Sequence, residues 1–327
     1  MASSIDESRP FDDILSLIEN MPVLSEAEVS KINSGIKQKA GGLRPLGRLD
    51  RELSLIAAWQ GQSQPSLMRP LISVFAGTHG IAKSVFEGDM VEQAKARVKS
   101  LTEGHSAVRG IASDLGAAFK VYEFGLEYPS ADFTETPSLS EKDCAAAIAF
   151  GMEVVAEGAD VIVLGNAGFG AATAAAAITR SLYGGAADYW AGGAEETAEK
   201  RIETIKKGTQ RHIQDGKYNS LEALRCFGGR DISGCVGAIL AARHQRIPVV
   251  LDGFVVCAAA AVLHTINPTT LDHCIAAHVS AEPAHAALLD RLGKTPVINL
   301  GVNIGDGSGG ALIVGLLKSA AAGLKTL

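Results

Sequence analysis

Aromatic residues are scarce in this sequence, at only 5% of 327 residues. The core must therefore be filled by Ala, Val, Leu and Ile. There is no basic excess either: 30 Lys and Arg stand against 36 Asp and Glu, for a net charge of -6. A general nucleic-acid binder, which needs a basic stripe, is excluded. No apolar run has the character of a membrane span. The most apolar stretch, 247–266, is interrupted by Asp252, Gly253 and His264. It reads as a buried strand followed by a buried helix. The start, MASSIDESRPFDDIL, lacks the basic residues and apolar run of a secretory signal, so a cytoplasmic location is expected. The five cysteines (Cys144, Cys226, Cys235, Cys257 and Cys274) are odd in number and widely spread, with no CxxC pair. They read as reduced, buried thiols. No internal repeat or low-complexity linker is found. What is present is 47% hydrophobic and 20% charged residues. That describes a globular chain, long enough for one large domain or a large one with a small satellite.

Residues 1–60 read as helices: Phe11 to Glu19, Ser25 to Ile36 and Leu49 to Trp59, with a loop KQKAGGLRPLG between the last two. Short β-branched runs follow, each ending in Gly or a small polar residue. They are LISVFAG (71–77), FKVYEFG (119–125), VIVLGN (161–166), IPVVLDG (247–253) and PVINLG (296–301), with CIAAHVS (274–280) a weaker candidate. Runs apolar on both faces predict central parallel strands. Ala-rich helical patterns separate them: Met90 to Leu115, Ser140 to Glu157, Ala171 to Tyr183, Ile232 to Gln245, Val255 to Leu263 and Pro283 to Leu292. The segment 191–212 opens with glycines and becomes a charged helix, expected to be solvated. The stretch from Asp306 to Leu324 predicts a helix packed back on the N-terminal helices. Alternating strands and helices predict an α/β fold, doubly wound around a mainly parallel, Rossmann-like sheet. Ligands of such folds sit beyond the carboxyl ends of the strands.

The candidate site residues are those just past the strands. In GNAGFGAATAAAA (165–177), Gly168, Gly170 and Thr173 open a helix whose N–H groups suit a phosphate. The same segment approximates G-x-G-x-x-G, with Asp188 twenty residues past Gly168, so a dinucleotide turn and a plain tight turn remain alternatives. Thr78 and His79 follow the first strand, in a position suited to a pocket or to a structural hydrogen bond. Asp252 ends a strand before Gly253; it suits a ribose hydroxyl or a helix cap. HVSAEPAH (278–285) gathers His278, Ser280, Glu282 and His285, but the two histidines are seven apart, so no metal is expected. Asp306 lies between Gly305 and Gly307 before the last helix, where a carboxylate can accept a proton or cap the helix.

Taken in order, GRLDREL (47–53), FAGTHGI (75–81), the 165–177 turn, FGGRDISGCVGAILAA (227–242), LDGF (251–254), HVSAEPAH (278–285) and LGVNIGDGSGGAL (300–312) resemble the nicotinate-nucleotide–dimethylbenzimidazole phosphoribosyltransferases. The likeness runs from about Phe11 to Ala322 and is strongest after Phe227. It implies an α/β domain over 66–307 and a small helical domain from both chain ends, 1–65 with 308–327. It also implies a homodimer without metal or cofactor, although a heteromer is compatible. The implied reaction joins the phosphoribosyl group of nicotinate mononucleotide to 5,6-dimethylbenzimidazole. The products are α-ribazole 5′-phosphate, a piece of the cobalamin lower ligand, and nicotinate.

By the same resemblance Asp306 is the general base. Thr78, His79, Asn166, Gly168, Gly170, Thr173, Asp252, Ser280, Gly305 and Gly307 form the substrate site. Asp252 and Ser280 are the candidate contacts to the ribose or the nicotinate carboxylate. The chain departs from the family pattern at several of these places. Asp306 replaces a Glu, at roughly 1.5 Å less reach. Asn166 replaces the first acid of the family's G-E-M-G-I-G-N-T-T loop, and Ala171 and Ala172 replace its Asn and first Thr. Ala96 falls on the Gln that helps frame the benzimidazole pocket. The early K-P-x-G-S-L-G loop is reduced to LRPLG, and a glycine-rich loop near Ala191 is shorter. Three readings stay open: the usual transferase, a transferase for another aromatic base or nucleotide, and a non-catalytic binding homologue or inactive partner subunit.

Overall fold

The computed structural model describes residues 9–39, 46–191, 195–213 and 219–325. The shortened loop near Ala191, and most of LRPLG, lie outside these residues. In chain order the helices are α1 (Pro10–Glu19), α2 (Glu26–Lys39), α3 (Arg48–Trp59), α4 (Ala82–Val85), α5 (Met90–Thr102), α6 (Ala107–Leu115), α7 (Glu141–Met152), α8 (Ala171–Tyr183), α9 (Ala187–Ala191), α10 (Glu195–His212), α11 (Ser220–Phe227), α12 (Arg230–His244), α13 (Gly253–Ile266), α14 (His285–Arg291) and α15 (Ser308–Lys325). The strands are β1 (Pro70–Ala76), β2 (Ala118–Glu123), β3 (Val161–Asn166), β4 (Val249–Leu251) and β5 (Cys274–Ala276). They form one sheet in the order β2-β1-β3-β4-β5, and every pair is parallel.

Side chains alternate across the sheet, and each set enters its own core. Leu71, Phe75, Ile162, Leu164, Val249 and Leu251 face one layer, with α1, α7, α8, α11, α12, α13 and α14. Ile72, Val74, Val161, Val163, Val250 and Ile275 face the other, with α3, α5, α6 and α15. Burial on both faces is why these strands are apolar throughout. β2, at the edge, is only partly buried. α15 lies against α3, α6 and β3. At the end of α3, Trp59 stacks under the Arg243 guanidinium of α12 at 4.0 Å, and its indole N–H donates to Asp272 O at 3.1 Å.

Three expectations need correction. PVINLG is not a strand among the described residues: Val297 and Ile298 bond to Ala276 and Ala277, after which the chain peels away with Leu300 exposed. Proline before this run and glycine after it limit it to a bridge from Ile298 to His278. The fifth strand is the weaker candidate instead, at Cys274–Ala276. The pattern from Met90 to Leu115 is two helices, separated where Gly104 takes a left-handed φ of 86°. The charged helix α10 is not wholly solvated. Arg201, Thr204, Ile205 and Thr209 are buried, and Gly208 packs against the Phe133 ring.

Small residues set the helix spacing. A Cβ on Gly237 of α12 would stand 1.9 Å from Ile148 O of α7, and one on Gly151 would stand 2.0 Å from Gly234 O. The two backbones are in contact, which a core rich in large aromatics would forbid. All five cysteines are buried. Burial raises the thiols of Cys144, Cys235, Cys257 and Cys274, that of Cys144 to about 12, which makes these four inert fillers. Gly237→Ala is expected to destabilise the fold by roughly 1–3 kcal/mol. Gly110→Ala, on the exposed side of α6 with open space around it, should stabilise it by about 0.4–1 kcal/mol. Urea midpoints moving in opposite directions check the pair.

Candidate active site

The chain leaves β1 toward β2 on one side and β3 lies on the other. This reversal opens a crevice at the carboxyl ends of the strands. A cavity of about 470 Å³ occupies it. Asn166, Gly168, Ala171 and Ala172 come from the β3–α8 turn. Arg97, Leu101 and Ser106 come from α5 and the start of α6. Phe254 and Val255 come from α13, Ser280 and Glu282 from the segment after β5, and Asn303 to Asp306 from the last loop. A second compartment of about 450 Å³ adjoins it over α8, bordered by Phe86, Phe169, Gly170, Thr173, Thr197 and Arg201. Arg97, Gly168, Ala171, Ala172, Glu282 and Asn303 border both.

The last loop is held down by Asp252. Its Oδ2 accepts from Gly307 N at 2.6 Å, and its Oδ1 accepts from Gly310 N at 3.1 Å and stands 2.7 Å from His278 Nε2. A Cβ on Gly165 would stand 2.3 Å from Gly307 N, and one on Gly309 would stand 2.4 Å from the His278 ring. These glycines exist because the loop lies directly on the ends of β3 and β5. Asp252 borders the cavity, but both its oxygens are taken by protein donors. Asp306 follows from this anchoring. Its Oδ1 accepts from Ser308 N at 3.1 Å and Ser308 Oγ at 2.6 Å, so it caps α15. Its Oδ2 has no hydrogen bond among the described residues, and Asp306 borders the cavity.

Ser280 is held by His285, whose Nδ1 accepts from Ser280 N at 2.8 Å and lies 2.9 Å from Ser280 Oγ. Burial, then the charge of His278, push the His285 ring down to about 3, so it stays neutral. Burial works to lower His278 as well, but the hydrogen bond and charge of Asp252 outweigh it, and the ring is raised above its ordinary 6.5.

The β3–α8 turn has its own anchors. Asn166 N donates to Gly305 O at 2.7 Å, tying this turn to the last loop. Asn166 Oδ1 accepts from Gly168 N at 2.9 Å, and Asn166 Nδ2 donates to the buried Asp231 at 2.9 Å. His79 Nε2 stands 2.9 Å from the other oxygen of Asp231. Burial would raise the Asp231 carboxyl; the neighbouring His79 and Asn166 outweigh that and hold it below its ordinary value. Thr78 Oγ1 donates to Leu126 O at 2.9 Å. Neither Thr78 nor His79 borders either compartment. The Gly168 N–H is occupied, whereas the N–H groups of Gly170 and Ala172 have no backbone partner among the described residues. Gly170 takes φ 89° and precedes α8, and the buried Thr173 hydroxyl has no partner among the described residues.

Two cations were missing from the sequence reading. Arg201 is buried, lies 3.4 Å from Glu282 Oε2, and has an unpartnered Nε. Arg97 Nη1 stands 3.5 Å from Gly168 O. The helical spacing of Arg201, Thr204, Ile205, Gly208 and Thr209 is the signal that would have turned this face of α10 inward. Among the described residues no three His, Cys, Asp or Glu side chains converge to hold a metal ion, and no helix is long and apolar enough to cross a membrane.

Parallel strands ending beside a helix N-terminus, with a carboxylate at the cavity edge, define an α/β protein with a ligand crevice at its strand ends. Known proteins sharpen this. The family described as Phosphoribosyltransferase (DBI_PRT) matches residues 21–327. A nicotinate-nucleotide–dimethylbenzimidazole phosphoribosyltransferase of Sinorhizobium medicae is 42% identical over 319 residues, covering 96% of this chain and 93% of the relative. Its counterpart from Methylocella silvestris is 41% identical over 320 residues, covering 97% and 94%. The crystal structure of the Thermus thermophilus protein of the same name superposes with a TM-score of 0.82 at 27% identity, covering 90% of this chain and 96% of that one. The chain belongs to the nicotinate-nucleotide–dimethylbenzimidazole phosphoribosyltransferase family.

The raised His278 gives a stability test with a fixed sign. A histidine raised on folding stabilises the native state fully below its unfolded value of 6.5, and that contribution is lost as pH rises through the folded value. Between about pH 6 and pH 9, the wild type should lose unfolding free energy relative to His278→Gln, which keeps a donor but does not titrate. Denaturant melts of both proteins across that range measure the difference.

Proposed function

We propose that this chain transfers the phosphoribosyl group of nicotinate mononucleotide to a 5,6-dimethylbenzimidazole-type base, giving α-ribazole 5′-phosphate and nicotinate. The relatives bear that name. The observation that carries the reading is one wall shared by two differently equipped compartments. One side offers the α8 N-terminus, the unpartnered Thr173 hydroxyl and Arg201; the other offers the open oxygen of Asp306. The 5′-phosphate takes the first side, on the Gly170 and Ala172 N–H groups, Thr173 Oγ1 and the two arginines. The ribose lies along Gly168, with Ser280 and Glu282 opposite. The base enters beside Asp306 from the face opposite nicotinate.

In the step itself a base nitrogen forms a bond to C1′ while the bond from C1′ to the nicotinate nitrogen breaks. The electron pair leaves with nicotinate and neutralises its pyridinium. The proton on the other base nitrogen passes to Asp306 Oδ2, and the configuration at C1′ inverts. Holding both reactants in line accounts for much of the rate.

The same reading covers assembly and setting. The fold is doubly wound and Rossmann-like, with α15 and the N-terminal helices as a small helical part; the packing of α15 on α3 supports this. The chain is a homodimer. Exposed Leu300, Ile304, Leu312 and Leu316, on the last loop and α15, supply an apolar face. The five buried cysteines, with no CxxC pair, suit the cytoplasm.

Incubated with both substrates, the purified protein should release nicotinate and form the α-nucleotide. Asp306→Asn should lower kcat by about 10²–10⁴-fold while calorimetry shows nucleotide affinity unchanged. Binding of nucleotide without turnover in the wild type would assign the chain to the binding homologues instead.

A further inference from the structure

We infer that Asp231 is a positioning residue for nucleotide binding: through the Asn166 side chain it fixes the turn that opens the α8 anion site. The inference rests on the nucleotide reading above. Asp231 sits in the first turn of α12, is fully buried and borders neither compartment, so it cannot touch a ligand. The structure nevertheless clears space for it. A Cβ on Gly168 would stand 2.0 Å from Asp231 Oδ2, and one on Gly77 2.9 Å from Oδ1. A Cβ on Gly229 would stand 2.4 Å from the His79 ring that flanks the carboxylate. Three glycines from three segments thus enclose one buried acid and its partner.

The consequence is directional. An amide has a donor end and an acceptor end. A carboxylate can only accept, so Asp231 forces the Asn166 Nδ2 toward itself. The Asn166 Oδ1 is then left facing Gly168 N, which it receives at 2.9 Å. With the amide reversed, oxygen would face carboxylate and N–H would face N–H. The Gly168 N–H is therefore satisfied only while Asp231 sets the amide. Gly168 is two residues before Gly170, whose free N–H begins the anion site. The chain's replacement of a family acid at position 166 fits the same logic: a second carboxylate 2.9 Å from Asp231 would repel it.

Exchanging the two groups tests this. In Asp231→Asn the new amide can accept from only one of its two neighbours. In Asn166→Asp two carboxylates meet. In the double variant Asn166→Asp/Asp231→Asn each donor again has an acceptor: the amide now at 231 donates to the acid at 166 and accepts from His79, and that acid still receives Gly168 N. By calorimetry each single variant should bind nicotinate mononucleotide about tenfold more weakly than the wild type. The double variant should return to within about threefold. Affinity for dimethylbenzimidazole should stay within about twofold throughout.

Single variants that bind the nucleotide like the wild type would overturn the inference. So would a double variant that melts like the wild type yet binds no better than the singles. If Asn166→Asp does not fold, Asp231→Asn against the double variant gives the same reading. A wild type that binds no nicotinate mononucleotide would overturn the functional reading, and this inference with it.

Discussion

One buried carboxylate organises this site. Asp252, at the tip of a central strand, receives two backbone amides from a loop more than fifty residues later and holds a histidine on the neighbouring strand end. Burying an acid is costly unless donors converge on it, and here three do. The arrangement fixes the height of the last loop over the sheet, and with it the place of Asp306. Asp231 repeats the device one strand over, with His79 as its ring and Asn166 as its donor. Both acids stand where a helix begins, so the helix dipole favours their charge. Two Asp–His pairs thus clamp the two loops that border the cavity, and the bond from Asn166 N to Gly305 O joins the loops to each other.

The rest of the molecule supplies a rigid floor for these clamps. Alanine- and glycine-rich helices let α7 and α12 touch backbone to backbone, and α8 and α13 bury nearly every small side chain they carry. Such close layers leave little room for the strand ends to shift. This part was legible in the sequence, because strands buried on both faces must be apolar on both faces. Four of the five strongest strand patterns are strands. The fifth, PVINLG, is apolar enough but begins with proline and has no neighbour beyond its first residues. Cys274–Ala276 forms the last strand because it has a partner in β4. Periodicity reports which side chains want burial, not which backbone has a neighbour to pair with.

The site was legible in position but not in direction. A residue just past a parallel strand can turn into the crevice or back into the protein, and the sequence does not say which. Gly170, Thr173 and Ser280 turn toward the cavity; Thr78 and His79 turn away, one to Leu126 O and the other to Asp231. Arg97 and Arg201 escaped notice for another reason. Each sits in a helix dense with charge, where one inward arginine is masked by its solvated neighbours. Only the burial of Arg201 beside Glu282 separates it from the lysines around it.

The shorter acid at position 306 is best understood through the clamp. A glutamate there could reach the cavity from a loop of some freedom, but an aspartate needs its backbone brought closer. The contacts that Gly165 and Gly309 permit press the loop onto β3 and His278, which brings the Asp306 backbone down against the end of β3. Capping α15 through Oδ1 then costs no reach, because it fixes the carboxylate plane and leaves Oδ2 without a hydrogen bond among the described residues. A fixed acceptor loses less entropy on meeting its proton donor than a mobile one. Lost length and added rigidity therefore act in opposite directions on the proton transfer proposed for Asp306, and the rigidity traces back to the amides that Asp252 holds.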